Sequence, residues 1–111
     1  MNVKRGDVVY LYENTTCPNA KRPFVIVSND IGNHHSGICL GVPLTTRPKR
    51  NYPTHCTIDF NGSTVMTEQI SVIHQDDIER TIFKVNEVDM MKINECLAIS
   101  LALKGGYNGE I

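Results

Sequence analysis

His55-Cys56-Thr57-Ile58-Asp59-Phe60-Asn61-Gly62-Ser63-Thr64-Val65-Met66-Thr67 reads as two short strands, His55 to Phe60 and Ser63 to Thr67, joined by Asn61-Gly62. Asn-Gly is the strongest short hairpin signal, because a type I′ turn needs positive φ at both central positions and these two residues tolerate it best. An antiparallel hairpin in mid-chain sets the fold class, and its flanks extend it. Upstream, Val8-Val9-Tyr10-Leu11-Tyr12 is rich in β-branched and aromatic residues and reads as a strand. Phe24-Val25-Ile26-Val27 is an apolar run suited to a central strand buried on both faces. Ile38 to Leu44 is another strand, in which Pro43 predicts a bend or a bulge.

Asn29-Asp30-Ile31-Gly32-Asn33-His34-His35-Ser36-Gly37 carries turn chemistry, and Glu13 to Lys21 and Thr45 to Pro53 are polar loops. Downstream of the hairpin, Ser71-Val72-Ile73 and Thr81-Ile82-Phe83-Lys84-Val85 read as strands on either side of an acidic turn at Asp76 and Asp77. The clearest element is a helix from about Glu87 to Lys104. Asn86 is a good N-cap, Glu87 and Asp89 suit the first turn, and Lys104-Gly105 is a sound stop. Met90, Ile93, Leu97 and Leu101 recur near one face at helical spacing. There is no internal repeat and no βα alternation. Many short strands followed by one helix predict a mainly β chain, a small antiparallel barrel with a C-terminal helix packed against it. The expected organisation is one domain over 1–104 and a frayed tail over 105–111.

A chain of 111 residues suits one domain, and its 41% hydrophobic and 21% charged content excludes intrinsic disorder or coiled coil for the body. No apolar run approaches the roughly 18–20 residues that span a bilayer, and the N-terminus has no apolar signal core, so the expected location is cytoplasmic, with no membrane partner. The net charge of −1 hides an asymmetry: residues 1–55 carry seven Lys/Arg against three acids, and residues 56–111 four against nine. A basic half on a near-neutral chain points to a local polyanion site. Cys17, Cys39, Cys56 and Cys96 form no Cys-x-x-Cys pair and no zinc-like spacing with a histidine. They read as buried free thiols of a reducing compartment, with Cys17, in a polar loop, the candidate for exposure. No metal or other cofactor is expected.

Five pieces of the chain, in order, resemble the MazF/PemK toxin family. They are Lys4-Arg5-Gly6-Asp7-Val8, Arg22-Pro23 with Val25-Ile26-Val27-Ser28-Asn29-Asp30, Pro53-Thr54-His55, Glu68-Gln69-Ile70, and Leu97-Ala98-Ile99-Ser100-Leu101. The resemblance implies an SH3-like barrel of the kind that these toxins share with the gyrase-poisoning toxins, and a homodimer. It also implies a sequence-specific endoribonuclease acting on single-stranded messenger RNA, and a partner antitoxin. It assigns the family's essential Arg to Arg22, its essential strand-end hydroxyl to Thr45, and the Gln of its Glu-Gln-Ile piece to Gln69. Two departures stand out. The loop Glu13 to Lys21 has no glycine where the family is Gly-rich, so a base preference does not carry over; and Thr46-Arg47 stands where members often have a small residue and Gln.

The chemistry agrees with these assignments. RNA carries its own nucleophile in the 2′-OH, so an enzyme needs to hold that hydroxyl in line and stabilise charge on the phosphorane, which yields a 2′,3′-cyclic phosphate and a 5′-OH. A guanidinium forks two phosphate oxygens and stays charged, so Arg22 suits electrostatic stabilisation better than base catalysis. Arg47, Lys49 and Arg50 are phosphate-contact candidates. Tyr52 is the best placed ring for stacking on a base, ahead of Tyr10, Tyr12 and Phe24, which are expected to fill the barrel. His55, just after the basic loop, is a candidate RNA contact, while His34 and His35 are expected to be solvated. Glu68 is expected to pair with a neighbour. The alternative function is a non-catalytic toxin on the same barrel acting by protein–protein contact, as a gyrase poison does; an adaptor domain is a third. Arg22-Pro23 together with Thr45 separates the nuclease from the gyrase poison, and the basic loop 47–50 counts against the adaptor.

Overall fold

The computed structural model describes residues 2–47 and 51–103. The elements run β1 (Asp7–Leu11), β2 (Phe24–Ile26), α1 (Asp30–His35), β3 (Ile38–Thr45), β4 (His55–Thr57), β5 (Thr64–Met66), β6 (Ser71–His74), β7 (Ile78–Lys84) and α2 (Glu87–Ser100). Every strand pairing is antiparallel, in the order β4-β5-β3-β2-β1-β7, with β6 also on β3. The protein is thus a mainly antiparallel β sheet with a C-terminal helix. Among the described residues no pairing joins β4 to β7, so the ladder stays open there.

β3 organises the sheet. One edge pairs with β2 in the register Phe24↔Pro43, Val25↔Val42, Ile26↔Gly41, and Leu44 N–H extends it by donating to the Pro23 carbonyl at 2.9 Å. The other edge serves two neighbours in turn: Ile38 to Gly41 pair with β6, and Leu44 and Thr45 pair with β5. Backbone N–H groups alternate between the edges of a strand. Since Leu44 donates toward β2, Pro43 presents its nitrogen to the opposite edge, in the gap where β6 has ended and β5 has not begun. Proline has no N–H to leave unsatisfied there. The strand therefore runs unbroken through Pro43, and what changes at that residue is the neighbour. Gly41 lies beside the switch for a steric reason. A Cβ there would come within 2.6 Å of the Ile73 side chain and 3.3 Å of Phe24 Cβ.

Alternation along β1, β2 and β3 buries both faces. Val9, Leu11, Phe24, Ile26, Cys39 and Ile73 form one cluster; Val8, Val25, Val42, Leu44, Val65 and Ile93 form the other. Two-sided burial is why Phe24-Val25-Ile26 is a continuous apolar run, as expected of a central strand. Helix α2 covers the second cluster with Met90, Ile93 and Leu97 and runs along β4 through a row of polar contacts. Asp89 accepts from Asp59 N–H at 2.7 Å, Lys92 donates to the Thr57 carbonyl at 2.6 Å, and the Ser100 and Thr67 hydroxyls bond at 2.8 Å. Between them Cys96 meets Cys56, whose thiol burial pushes up to about 12. The four cysteines are free; Cys17 is half-buried against the first cluster, not exposed.

The hairpin forms as expected, with Asn61 and Gly62 at φ 54 and 64 and Ser63 N–H donating to the Phe60 carbonyl at 2.9 Å. Its first strand is shorter than the sequence predicts because Asp59 turns its N–H out of the ladder toward Asp89. Three expectations need correction. The turn expected at 29–37 contains helix α1. Asn29 caps it by accepting from Gly32 N–H at 2.7 Å, and Gln75 pins it from below through the carbonyls of Asn33 and Ser36 at 2.7 and 2.9 Å. Gly32 and two histidines mask it in the sequence, because they are weak helix formers held by tertiary contacts. β7 starts at Ile78, earlier than expected, because the acidic turn is a single 3-10 turn at Gln75–Asp77. Helix α2 ends at Ser100 rather than near Lys104. Ala102 sits at φ 54, and the N–H groups of Ala102 and Leu103 close back on the carbonyls of Ile99 and Ala98 at 3.1 and 2.9 Å. That is a Schellman stop with alanine in the position glycine usually fills. It leaves Leu101 exposed rather than on the buried face. Lys104 and the tail expected over 105–111 lie outside the described residues.

Asp89 ties the N-terminus of α2 to the chain just after β4. The Asp59 N–H bond is the main reason its carboxyl is held below the usual range, against burial and with help from Lys92 and Asn86. Asp89→Ala strands a donor and removes an acid from the first helical turn. It should cost about 2 kcal/mol at neutral pH by denaturant unfolding. A lowered native pKa gives stability that is complete above the unfolded value and fades as pH falls through the native one. The gap between wild type and variant should therefore be constant above about pH 5 and shrink in acid below about pH 4.

Candidate nucleic-acid interface

Loop 12–21 returns to the sheet through a tight turn in which Arg22 N–H donates to the Asn19 carbonyl at 2.8 Å and Asn19 adopts φ 62. Pro23 follows, and its carbonyl takes the Leu44 N–H. Thr45 is the last residue of β3, two steps beyond the Phe24↔Pro43 pair, and Arg22 stands on the chain entering β2, two residues before Phe24. Arg22 is half-buried, and among the described residues its guanidinium has no acidic partner. Thr45 is only 4% exposed; its Oγ1 accepts from Arg47 N–H at 3.1 Å, which leaves the hydroxyl proton free to donate. The two sequence-predicted residues thus lie at the same end of the β2–β3 pair, Thr45 almost wholly buried and Arg22 half-buried.

Gln69 joins them from the connection between β5 and β6. Its Oε1 accepts from Asn19 Nδ2 at 3.1 Å and its Nε2 donates to Glu68 at 3.3 Å. Glu68 pairs with neighbours, as expected. It also accepts from Thr54 Oγ1 at 2.9 Å and His55 Nε2 at 3.0 Å. Burial raises the Glu68 pKa, but the bonds from His55, its own backbone, Thr54 and Gln69 outweigh that and hold the carboxyl below the usual range. The His55 side chain is 6% exposed, so its ring is committed to Glu68 and to Tyr52, which meets it edge-on with centroids 5.0 Å apart. His55 Nδ1 is buried without a hydrogen-bond partner among the described residues.

Tyr52 is half exposed and Arg47 exposed, on the rim of this site. Lys49 and Arg50, the other expected phosphate contacts, lie outside the described residues. Phe24 fills the core as expected, but Tyr12 is exposed and Tyr10 packs under Arg80, whose guanidinium stands 5.3 Å from its ring centre. That pair lines a separate cleft of about 320 Å³ with Lys21, Glu13 and Glu79. His34 and His35 are exposed at the end of α1. Among the described residues no three His, Cys, Asp or Glu side chains converge as metal ligands would. Sequence reasoning missed Asn19. Its only signal was the turn chemistry of Pro18-Asn19, which gives no hint of a partner at position 69.

The family model described as PemK-like, MazF-like toxin of type II toxin-antitoxin system matches residues 4–101. The endoribonuclease EndoA of Bacillus subtilis (strain 168) is 33% identical over 93% of this chain and 97% of its own length. The endoribonuclease MazF of Staphylococcus saprophyticus is 29% identical over 91% of this chain and 92% of its own length. A mycobacterial endoribonuclease solved in complex with its cognate antitoxin superposes with a TM-score of 0.81 at 28% identity, over 92% of this chain and 97% of that one. The family match takes in β1 through α2 and every described site residue, from the Asn19–Arg22 turn to Gln69. This chain belongs to the PemK-like, MazF-like toxin family of type II toxin–antitoxin systems.

Proposed function

We propose that the chain is the toxin of a type II toxin–antitoxin system and a metal-independent endoribonuclease that cuts single-stranded messenger RNA in the cytoplasm. What supports the reading is an Arg22 guanidinium without an acidic partner among the described residues, on the chain entering β2, with Thr45 closing the neighbouring strand, in a family whose relatives are named endoribonucleases. In the proposed reaction the 2′-oxygen attacks the adjacent phosphorus, the P–O5′ bond breaks, the 2′-OH proton leaves and the 5′-oxygen takes one up. The products are a 2′,3′-cyclic phosphate and a 5′-OH. Arg22 stabilises the phosphorane with a forked guanidinium, in a position where no carboxylate among the described residues neutralises it. Thr45 donates its hydroxyl proton to the reacting phosphate. Arg47, Lys49 and Arg50 hold flanking phosphates, Tyr52 stacks on a base, and Gln69 and His55 border the strand of RNA.

The fold reading that accompanies this function is a single domain over 1–104, its sheet curled into a small SH3-like barrel, with 105–111 as a tail. A cognate antitoxin with an acidic, disordered segment suits the same basic rim, which attracts any flexible polyanion. A homodimer is supported by Ile38, Leu40 and Val72, which share the sheet face that α2 covers elsewhere and stand exposed with Ile31 close in the chain. An apolar patch of this kind is ordinarily covered by a partner.

Purified protein should cut a long single-stranded RNA at an undiminished rate in EDTA. A 2′-deoxy nucleotide 5′ of the cut should block the reaction. Arg22→Ala should lower the rate by about 10²–10³, as loss of a transition-state donor does, and Arg22→Lys should not restore it. Cutting of all-DNA substrate, or a wild-type rate in Arg22→Ala, would contradict the mechanism. For assembly, sedimentation at micromolar concentration should give a dimer for the wild type and a monomer for Leu40→Glu; a wild-type monomer would exclude the proposed seam.

A further inference from the structure

Asn19 holds a left-handed backbone, φ 62, in which glycine would be cheaper, so its side chain needs a reason to be there. The reason lies across the fold. Its Nδ2 donates to Gln69 Oε1 at 3.1 Å, a bond between residues 50 apart in sequence. The direction of that bond is fixed from its far end. Glu68 is an acceptor already holding Thr54 Oγ1 and His55 Nε2 at 2.9 and 3.0 Å, so Gln69 must turn Nε2 toward it and Oε1 toward Asn19. Asn19 can then offer only its amide N–H. Three side chains in series thus tie loop 12–21 to the start of β4. From Asn19 the constraint passes directly to Arg22, whose N–H donates to the Asn19 carbonyl at 2.8 Å.

We infer that Asn19 is a positioning residue for Arg22, acting through its amide bond to Gln69. This rests on the reading of Arg22 as the phosphate-stabilising residue. A guanidinium on a long side chain stabilises a transition state only when its backbone approach is set, and otherwise the step must wait for the productive arrangement. Loop 12–21 has no glycine, and its anchoring falls to contacts such as this one. Gln69, in turn, has its carbonyl and its amide both occupied within the protein, so its contribution to activity includes holding Asn19.

The test compares cleavage of a single-stranded RNA by wild type, Asn19→Gly, Asn19→Asp, Gln69→Ala, the Asn19→Gly/Gln69→Ala double variant and Arg22→Ala, with Tm measured for each. Glycine keeps the left-handed turn and removes the amide; aspartate keeps the shape and removes the donor. Both should keep Tm at or near the wild-type value while kcat falls about tenfold, the scale of one lost hydrogen bond, and KM changes less than about twofold. In the Gln69→Ala background, Asn19→Gly should cost nothing further. A wild-type kcat in both Asn19 variants beside a slowed Arg22→Ala would overturn the inference and leave the proposed function standing. So would a rise in KM alone, or an equal loss from Asn19→Gly with and without Gln69. A wild-type rate in Arg22→Ala would instead remove the reading on which the inference rests.

Discussion

The backbone hydrogen bonding of β3 is the constraint on which the rest of this structure depends. One edge of the strand is committed to β2, and the other is divided between β6 and β5 at a residue that has no N–H to satisfy. A buried strand cannot leave backbone donors unpaired without a penalty of about 1–3 kcal/mol each. The division is therefore possible at Pro43 and costly elsewhere along 38–45. Because β5 takes over beyond Pro43, the chain leaving β5 passes close to the end of β2. Gln69 reaches the Asn19–Arg22 turn, far away in sequence, for this reason. The corner proposed as the site is a consequence of how a sheet satisfies its own edges.

The second constraint is the row along α2. Asp89, Lys92, Cys96 and Ser100 recur at three- and four-residue intervals, which places them on one helix face. Each meets the chain between Thr54 and Thr67. These contacts hold β4 in place, and β4 begins with His55, whose ring anchors Glu68. Mechanical support for the site therefore runs from α2 through β4 to the Glu68–Gln69 pair and across to the Asn19 turn. Sequence periodicity alone gives the apolar side of this helix; the polar row that fixes its axial position is invisible until β4 is beside it.

Local rules were sufficient wherever one or two residues decide a conformation. Asn61-Gly62 specifies its turn, Asn86 its cap, and Phe24-Val25-Ile26 a strand buried on both faces. They failed wherever a distant partner decides. Helix α1 exists because Gln75 and Asn29 satisfy its polar groups, against the preferences of Gly32, His34 and His35. The end of α2 is set by Ala102 in a conformation its side chain disfavours, so no glycine marks it. The candidates Arg22, Thr45 and Gln69 come from the resemblance of whole motifs, not from physics acting on isolated residues. Asn19 was not legible at all, because its role is a bond to a residue 50 positions away.

The central claim is that the reacting phosphate sits between Arg22 and Thr45 at the end of the β2–β3 ladder. The most direct measurement is a crystal structure of the protein with a short RNA that it cleaves, blocked by a 2′-deoxy sugar on the 5′ side of the cut. The account predicts that the uncleaved phosphate lies at hydrogen-bonding distance, about 2.7–3.1 Å, from both the Arg22 guanidinium and Thr45 Oγ1. A scissile phosphate held away from both residues, for example in the cleft between Lys21 and Arg80, would contradict it.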